Sequence, residues 1–168
     1  PVTEDQTQVP ILIDARKLGP VDEVMVLGDL NPFPVTLKVR PQKTPAYFAF
    51  RMRVEQGTVI RAAARQDGKW LVGSRYLDAA GGGGSAPPVT EAKVDWDRLG
   101  QMRGKLWREN EDTLRVRLRI LHPMDTGLHK EPAFFIQSIQ FHDAGIRPRL
   151  RVLDAMRTVG IDLLEYVH

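Results

Sequence analysis

An all-β fold, arranged as two small sandwiches joined by a glycine-rich arm, is what this sequence predicts. Three observations carry that reading. Apolar and polar residues alternate with a period of two, helical spacing is scarce, and a run of four glycines (Gly81, Gly82, Gly83, Gly84) divides the chain near its middle. With 168 residues the chain is long enough for one ordinary domain or two small ones, since cores become marginal below about 60 residues.

The clearest alternation is Thr113-Leu114-Arg115-Val116-Arg117-Leu118-Arg119-Ile120. Leu114, Val116, Leu118 and Ile120 fall on one face, and Arg115, Arg117 and Arg119 on the other. That is the pattern of a half-buried antiparallel strand with a wet outer side. Phe48, Phe50, Met52 and Val54 form an inner row of the same kind, and Arg149-Leu150-Arg151-Val152 repeats it briefly. Residues 9–13, 24–27 and 35–39 are shorter strand candidates, separated by turn residues within 14–20 and 28–34. Residues 58–65 and 69–76 meet through Gln66-Asp67-Gly68, and Asp-Gly is a strong hairpin signal. In the second half, residues 133–142 and 161–168 read as strands, with Phe135, Ile139 and Phe141 sharing an inner face and a turn at His142-Asp143-Ala144-Gly145. Helical spacing occurs in residues 95–105, where Trp96, Leu99 and Met102 lie three apart. Gly100 and Gly104 weaken it, each by about 1 kcal/mol relative to Ala, so a short helix is weighed there against irregular chain. Many short strands with frequent turns and little helix define sandwiches.

Gly81-Gly82-Gly83-Gly84-Ser85-Ala86-Pro87-Pro88 is the break between the two units. Consecutive glycines cannot hold a strand, because nothing offsets their backbone entropy, and the polar stretch that follows completes a tether.

Composition narrows the function. Hydrophobic content is 42% and charged content 27%, which is globular rather than disordered. The net charge of +3 is mildly basic, and the Lys and Arg residues are spread along the chain, so no nucleic-acid partner is expected. There is no cysteine, which excludes disulfides, thiolate metal sites and cysteine nucleophiles in the chain as it stands. No apolar run reaches the roughly 18 residues that would mark a membrane span. The chain opens at Pro1 without an initiator Met or an apolar leader, as expected of a processed or trimmed form, which would hide any secretion signal.

A family resemblance rests on particular residues. Leu121-His122-Pro123-Met124-Asp125-Thr126-Gly127-Leu128, followed by Pro132-Ala133-Phe134-Phe135-Ile136, resembles the SoxZ pattern of Pro-His-Pro-Met-Glu-Thr-Gly and Pro-Ala-His-Phe-Ile. Leu121 replaces the first Pro, Asp125 the Glu, and Phe134 the His. Asn31-Pro32-Phe33-Pro34, the aromatic strand ending in Arg51 and Arg53, and the Asp67-Gly68 hairpin are similar to SoxY, which ends in an arm containing Gly-Gly-Cys. SoxY-like then SoxZ-like in one chain resembles the fused SoxYZ-like carriers associated with quinoprotein alcohol dehydrogenases.

The resemblance implies a periplasmic sulfur carrier with no cofactor and no catalytic residue of its own. Its sandwiches would be immunoglobulin-like, and a Cys on the glycine arm would hold sulfur intermediates while partner redox enzymes act on them. A thin backbone suits narrow active-site channels, and the thiolate supplies the bond. In the fused proteins the arm reads approximately Gly-Gly-Cys-Ser-Ala-Pro. Here Gly84 stands at the Cys position, with Gly81, Gly82, Gly83 and Ser85 as the rest of the swinging arm. Glycine has no atom to carry sulfur, and the Ser85 hydroxyl is no soft nucleophile without an activating base. Either the natural protein lost its thiol or the Cys was replaced; Gly-Gly-Gly-Gly-Ser is also the composition of a common flexible linker.

Other constellations are weaker. His122, Asp125 and His129 match no tight metal-ligand spacing, so no metal is expected. The loop of His122, Pro123, Met124, Asp125, Thr126 and Gly127 reads as a structured turn after a strand or as a partner-contact loop. Ser74, Ser85 and Ser138 lack a nucleophile-elbow context. Asp95 and Asp97 read as solvated charges or a helix start, and no Lys-Ser or Lys-Thr follows the glycines as a phosphate loop would require. The row of Arg115, Arg117 and Arg119 is either a solvated face or a landing strip for an acidic partner or the other unit.

The expectation is therefore an all-β protein of two immunoglobulin-like β-sandwich domains. Residues 1–80 form the SoxY-like unit, 81–96 the arm and linker, and 97–168 the SoxZ-like unit. The expected role is a SoxYZ-like carrier, not an enzyme, inactive in covalent carriage as it stands. The alternative is a non-covalent module that docks a periplasmic redox enzyme.

Overall fold

The computed structural model describes residues 2–3, 9–31, 33–52, 54, 56–79, 96–111, 113–121, 136–142, 148–153 and 158–166. Among these the protein is all-β. The strands are β1 (Val2–Thr3), β2 (Val9–Asp14), β3 (Glu23–Gly28), β4 (Val35–Pro41), β5 (Tyr47–Met52), β6 (Thr58–Gln66), β7 (Lys69–Ala79), β8 (Met102–Asn110), β9 (Thr113–Ile120), β10 (Ser138–His142), β11 (Pro148–Leu153) and β12 (Thr158–Tyr166). Two short 3-10 turns, Arg16–Leu18 and Trp96–Arg98, are the helical elements among the described residues.

The strands form two sheets. One has seven strands in the order β1-β7-β6-β3-β4-β11-β10, and the other has five in the order β2-β5-β12-β9-β8. Every neighbouring pair is antiparallel except β1 with β7. Each sheet draws on both halves of the chain. β4 pairs with β11 from Lys38↔Leu153 to Pro41↔Leu150, and β5 pairs with β12 through Phe50↔Ile161 and Phe48↔Leu163. These pairings cover two edges that would otherwise present unpaired backbone groups to solvent.

Period-two alternation explains the core. Phe48, Phe50 and Met52 of β5, together with Val54, are fully or almost fully buried, while Arg51 between them is exposed. They pack against Val9 and Ile13 of β2, Val24 and Val26 of β3, Leu37 and Val39 of β4, and Ile60, Ala64 and Leu77 of β6 and β7. Burying side chains of this size stabilises by roughly 1.5–3 kcal/mol each. Val116, Ile139 and Phe141 extend the same core into the second half.

The β6–β7 hairpin is as the sequence reads. Its ladder runs from Thr58↔Leu77 to Gln66↔Lys69, and Asp67 and Gly68 both have positive φ (50° and 74°), the turn geometry whose twist matches the strands.

One open alternative is resolved and one strand boundary moves. No helix occupies residues 95–105 among the described residues: the Trp96–Arg98 turn is followed by Gly100 at φ 77°, and the chain then enters β8. Cross-strand pairing with β9 overrides the weak helical spacing. β8 is exposed almost throughout, so no buried face imposed alternation on its sequence. The strand expected at residues 133–142 begins only at Ser138; Ile136 and Gln137 precede it and residues 133–135 lie outside the described residues. The turn expected at 143–145 also lies outside them.

Candidate functional site: the arm end of the sheets

Strand direction places the connections. β7 runs antiparallel to β6, β6 to β3, β3 to β4, β4 to β11 and β11 to β10. The C-terminal ends of β7, β3 and β11 therefore share one end of the large sheet with the N-terminal ends of β6, β4 and β10. In the smaller sheet, Met52, Val9, Thr158, Ile120 and Met102 share one end by register. Only a few residues separate Met52 from β6 and Leu153 from β12, so the two ends coincide. Both roots of the arm, Ala79 and the turn before Met102, leave from this end. So do both flanks of the 122–127 loop, Leu121 and Ser138, and both flanks of the Asn31-Pro32-Phe33-Pro34 segment.

The first root is set into the core. Leu77 is 6% exposed, and Asp78 and Ala79 pair with Val2 and Thr3 of β1. Opposite Leu77 stands buried Thr58, whose hydroxyl oxygen accepts the Leu30 N–H at 3.0 Å. The Asp29 N–H donates to the Val59 carbonyl at 3.1 Å. The Asp29 carboxylate accepts Arg61 Nε at 2.8 Å and Nη2 at 2.7 Å. This bidentate pair holds Asp29 below the ordinary carboxylate range and raises Arg61; hydrogen bonding between them is the main cause. The segment after β3 is thus fastened beside the arm's exit.

The second root is fastened to the other loop. The Gln101 N–H donates to the Arg98 carbonyl at 3.1 Å, the Gly100 N–H to the Leu121 carbonyl at 2.9 Å, and the Leu121 N–H to the Gln101 carbonyl at 3.0 Å. Arg98 Nε also donates to Gln101 Oε1 at 3.3 Å. Leu121 immediately precedes His122, so the chain that closes the arm and the chain that opens the 122–127 segment are one hydrogen-bonded unit.

Gly81, Gly82, Gly83, Gly84 and Ser85 lie outside the described residues, as do His122, Pro123, Met124, Asp125, Thr126 and Gly127. Of the histidines, His142 is described and exposed at the end of β10. Among the described residues no three His, Cys, Asp or Glu side chains come together to hold a metal ion, and no helix is long and apolar enough to cross a membrane.

The outer face of β8–β9 was only half legible. Arg117 and Arg119 are exposed and Arg115 is half-buried. Arg103 stands directly opposite Arg119, Lys105 opposite Arg117, and Trp107 opposite Arg115. Lys105, Arg115 and Arg117 all lie 5.3–5.5 Å from the Trp107 ring centre, within cation–π range. The contribution of β8 was missed because 102–110 was not read as a strand; the cross-strand partner of the Arg row was therefore invisible.

The β scaffold thus gathers both flanks of the 80–95 connection at one end, with a charged face alongside. A family model described as Sulfur oxidation protein SoxY matches residues 1–84, half of the chain, and the chain belongs to that family. Its members are periplasmic carriers of sulfur oxidation rather than catalysts, and membership implies Sox-type partner proteins. No curated protein matches the chain.

Proposed function

We propose that this protein is a SoxYZ-like carrier in which residues 1–80 form the SoxY-like unit, 97–168 the SoxZ-like unit, and 81–96 the arm between them. The observation that carries the reading is the common exit: both arm roots and both flanks of the 122–127 loop leave from one end of the sheets. An arm rooted there would present its tip beyond the scaffold, and a loop rooted beside it would meet whatever enzyme receives the tip. The partners are periplasmic redox enzymes, of the Sox type or a quinoprotein dehydrogenase system.

Gly84 is the slot for the carrier thiol. With Cys there, a donor persulfide would pass its outer sulfur to the thiolate, leaving an arm persulfide and a donor thiol. With Gly84 no such bond can form.

The test is Gly84→Cys. The variant should react rapidly with a thiol reagent in the native state and gain the mass of one sulfur atom from a small-molecule persulfide donor. The Gly84 protein should remain unmodified. An introduced thiol that stays unreactive until the Gly84→Cys variant is denatured would sink the carrier reading.

The absence of any cysteine favours a second reading, a non-covalent module that docks a periplasmic redox enzyme. Equal capture of one enzyme by the Gly84 protein and its Gly84→Cys variant, with no sulfur transfer, would select it.

A further inference from the structure

We propose that the outer face of the β8–β9 hairpin is a docking surface for an acidic face of a partner protein. Five cations, Arg103, Lys105, Arg115, Arg117 and Arg119, stand on it in two facing rows. Like charges directly opposite in a sheet destabilise it, yet Arg103 faces Arg119 and Lys105 faces Arg117. A solvated face has no need of that arrangement, because alternating signs would serve solubility better. Among the described residues of this face the carboxylates are outnumbered. Glu109 meets Arg115 at 3.5 Å, and Asp162 is the register partner of Arg117 on β12. Among the described residues positive charge is in excess on this one small face of a chain whose net charge is only +3.

Trp107 makes this a protein-recognition face rather than a polyanion track. It is half-buried at the centre of three cations, and an aromatic and arginine centre with a polar rim is the composition of interface hot spots. Glu109 and Glu111 close the end remote from the arm. They would repel a phosphate backbone or an anionic membrane, but can set the register of a folded partner of complementary charge. The opposite end of the ladder, Arg103 with Arg119, lies next to Met102 and Ile120 at the arm end. From Trp107 to Arg103 is about 13 Å along the strand. A partner docked here would hold its surface just below the place where the arm emerges. The inference concerns the described face alone and does not depend on a thiol on the arm.

The test uses the full chain as it stands and a short fluorescein-labelled poly-L-glutamate as probe, followed by fluorescence anisotropy at low and physiological salt. Binding should weaken with salt and fall at least about tenfold in the Arg117→Glu/Arg119→Glu variant. Lys69→Glu, at the far hairpin, should leave it unchanged. If the double reversal fails to fold, Arg117→Gln/Arg119→Gln should still weaken binding. Arg103→Gln, which removes one like-charge pair, should raise the thermal midpoint while lowering probe affinity. Unchanged affinity in the folded double variant would overturn the proposal. So would binding of heparin or of phosphatidylserine vesicles without binding of polyglutamate. Self-association abolished by the double variant would assign the face to a second copy and overturn it equally.

Discussion

The N–H of Leu121 donates to the carbonyl of Gln101 at 3.0 Å, fastening the residue that opens the 122–127 segment to the residue on which the arm returns to the scaffold.

Leu121→Pro removes that donor. Both residues are exposed, so losing this bond costs about 0.5–1.5 kcal/mol, and the urea midpoint should fall slightly with little change in m. Amide exchange should accelerate at Gln101 and Met102 but not in β6 or β7. Unaltered stability would show that the Leu121–Gln101 bond does not fasten the two segments.

Phe48 stands between Ile13 of β2 and Leu163 of β12 and is 0% exposed. Phe48→Ala should cost about 3–5 kcal/mol and loosen both halves in a single transition. Leu12→Ala, on the exposed side of β2, should stay within about 0.5 kcal/mol of the starting protein. Two separated denaturation transitions for Phe48→Ala would show that β5 and β12 do not couple the halves.

Two glycines should respond for different reasons. A Cβ on Gly68 would meet nothing within 4 Å, so Gly68→Ala bears only the cost of positive φ, about 1 kcal/mol. A Cβ on Gly28 would lie 2.9 Å from Nδ2 of buried Asn31. Gly28→Ala should therefore cost about 1–3 kcal/mol and disturb the segment beside the first arm root. Thermal melts of both variants measure the difference, and an equal small loss would mean that Asn31 yields freely.

Acid sensitivity should track the Asp29–Arg61 pair. Because the folded state holds the Asp29 pKa below its unfolded value, the pair's stabilisation is present above the unfolded carboxylate pKa. It is lost as pH falls through the folded one. In Arg61→Leu the Asp29 carboxyl should titrate upward toward its ordinary range, seen by NMR, and the acid-unfolding midpoint should move to higher pH. The exposure of both groups keeps the effect small. An unmoved Asp29 titration would remove Arg61 as the cause.

Local rules account for what could be read without coordinates. The alternation in residues 48–54 and 113–120 places one row of side chains inward whatever the partner strand, because the side-chain period of a strand is two. Asp67-Gly68 announces its own turn, since its backbone conformation suits few other pairs. β8 escaped because both its faces are largely solvated, leaving Gly104 and a three-residue apolar spacing as the visible signals. Gly81 to Gly84 and the 122–127 segment were legible as motifs, but a motif does not say where its ends are held.

From residue order alone, then, came the all-β class, the buried rows and the hairpin turn, all of which depend on interactions between near neighbours. Strand partnership across the chain, β4 with β11 and β5 with β12, was settled by long-range pairing. With it came the gathering of both arm roots at one end and the facing of Arg103 by Arg119. The pairings of β4 and β5 join residues far apart in the chain, and no local propensity encodes which distant edge a given strand will find.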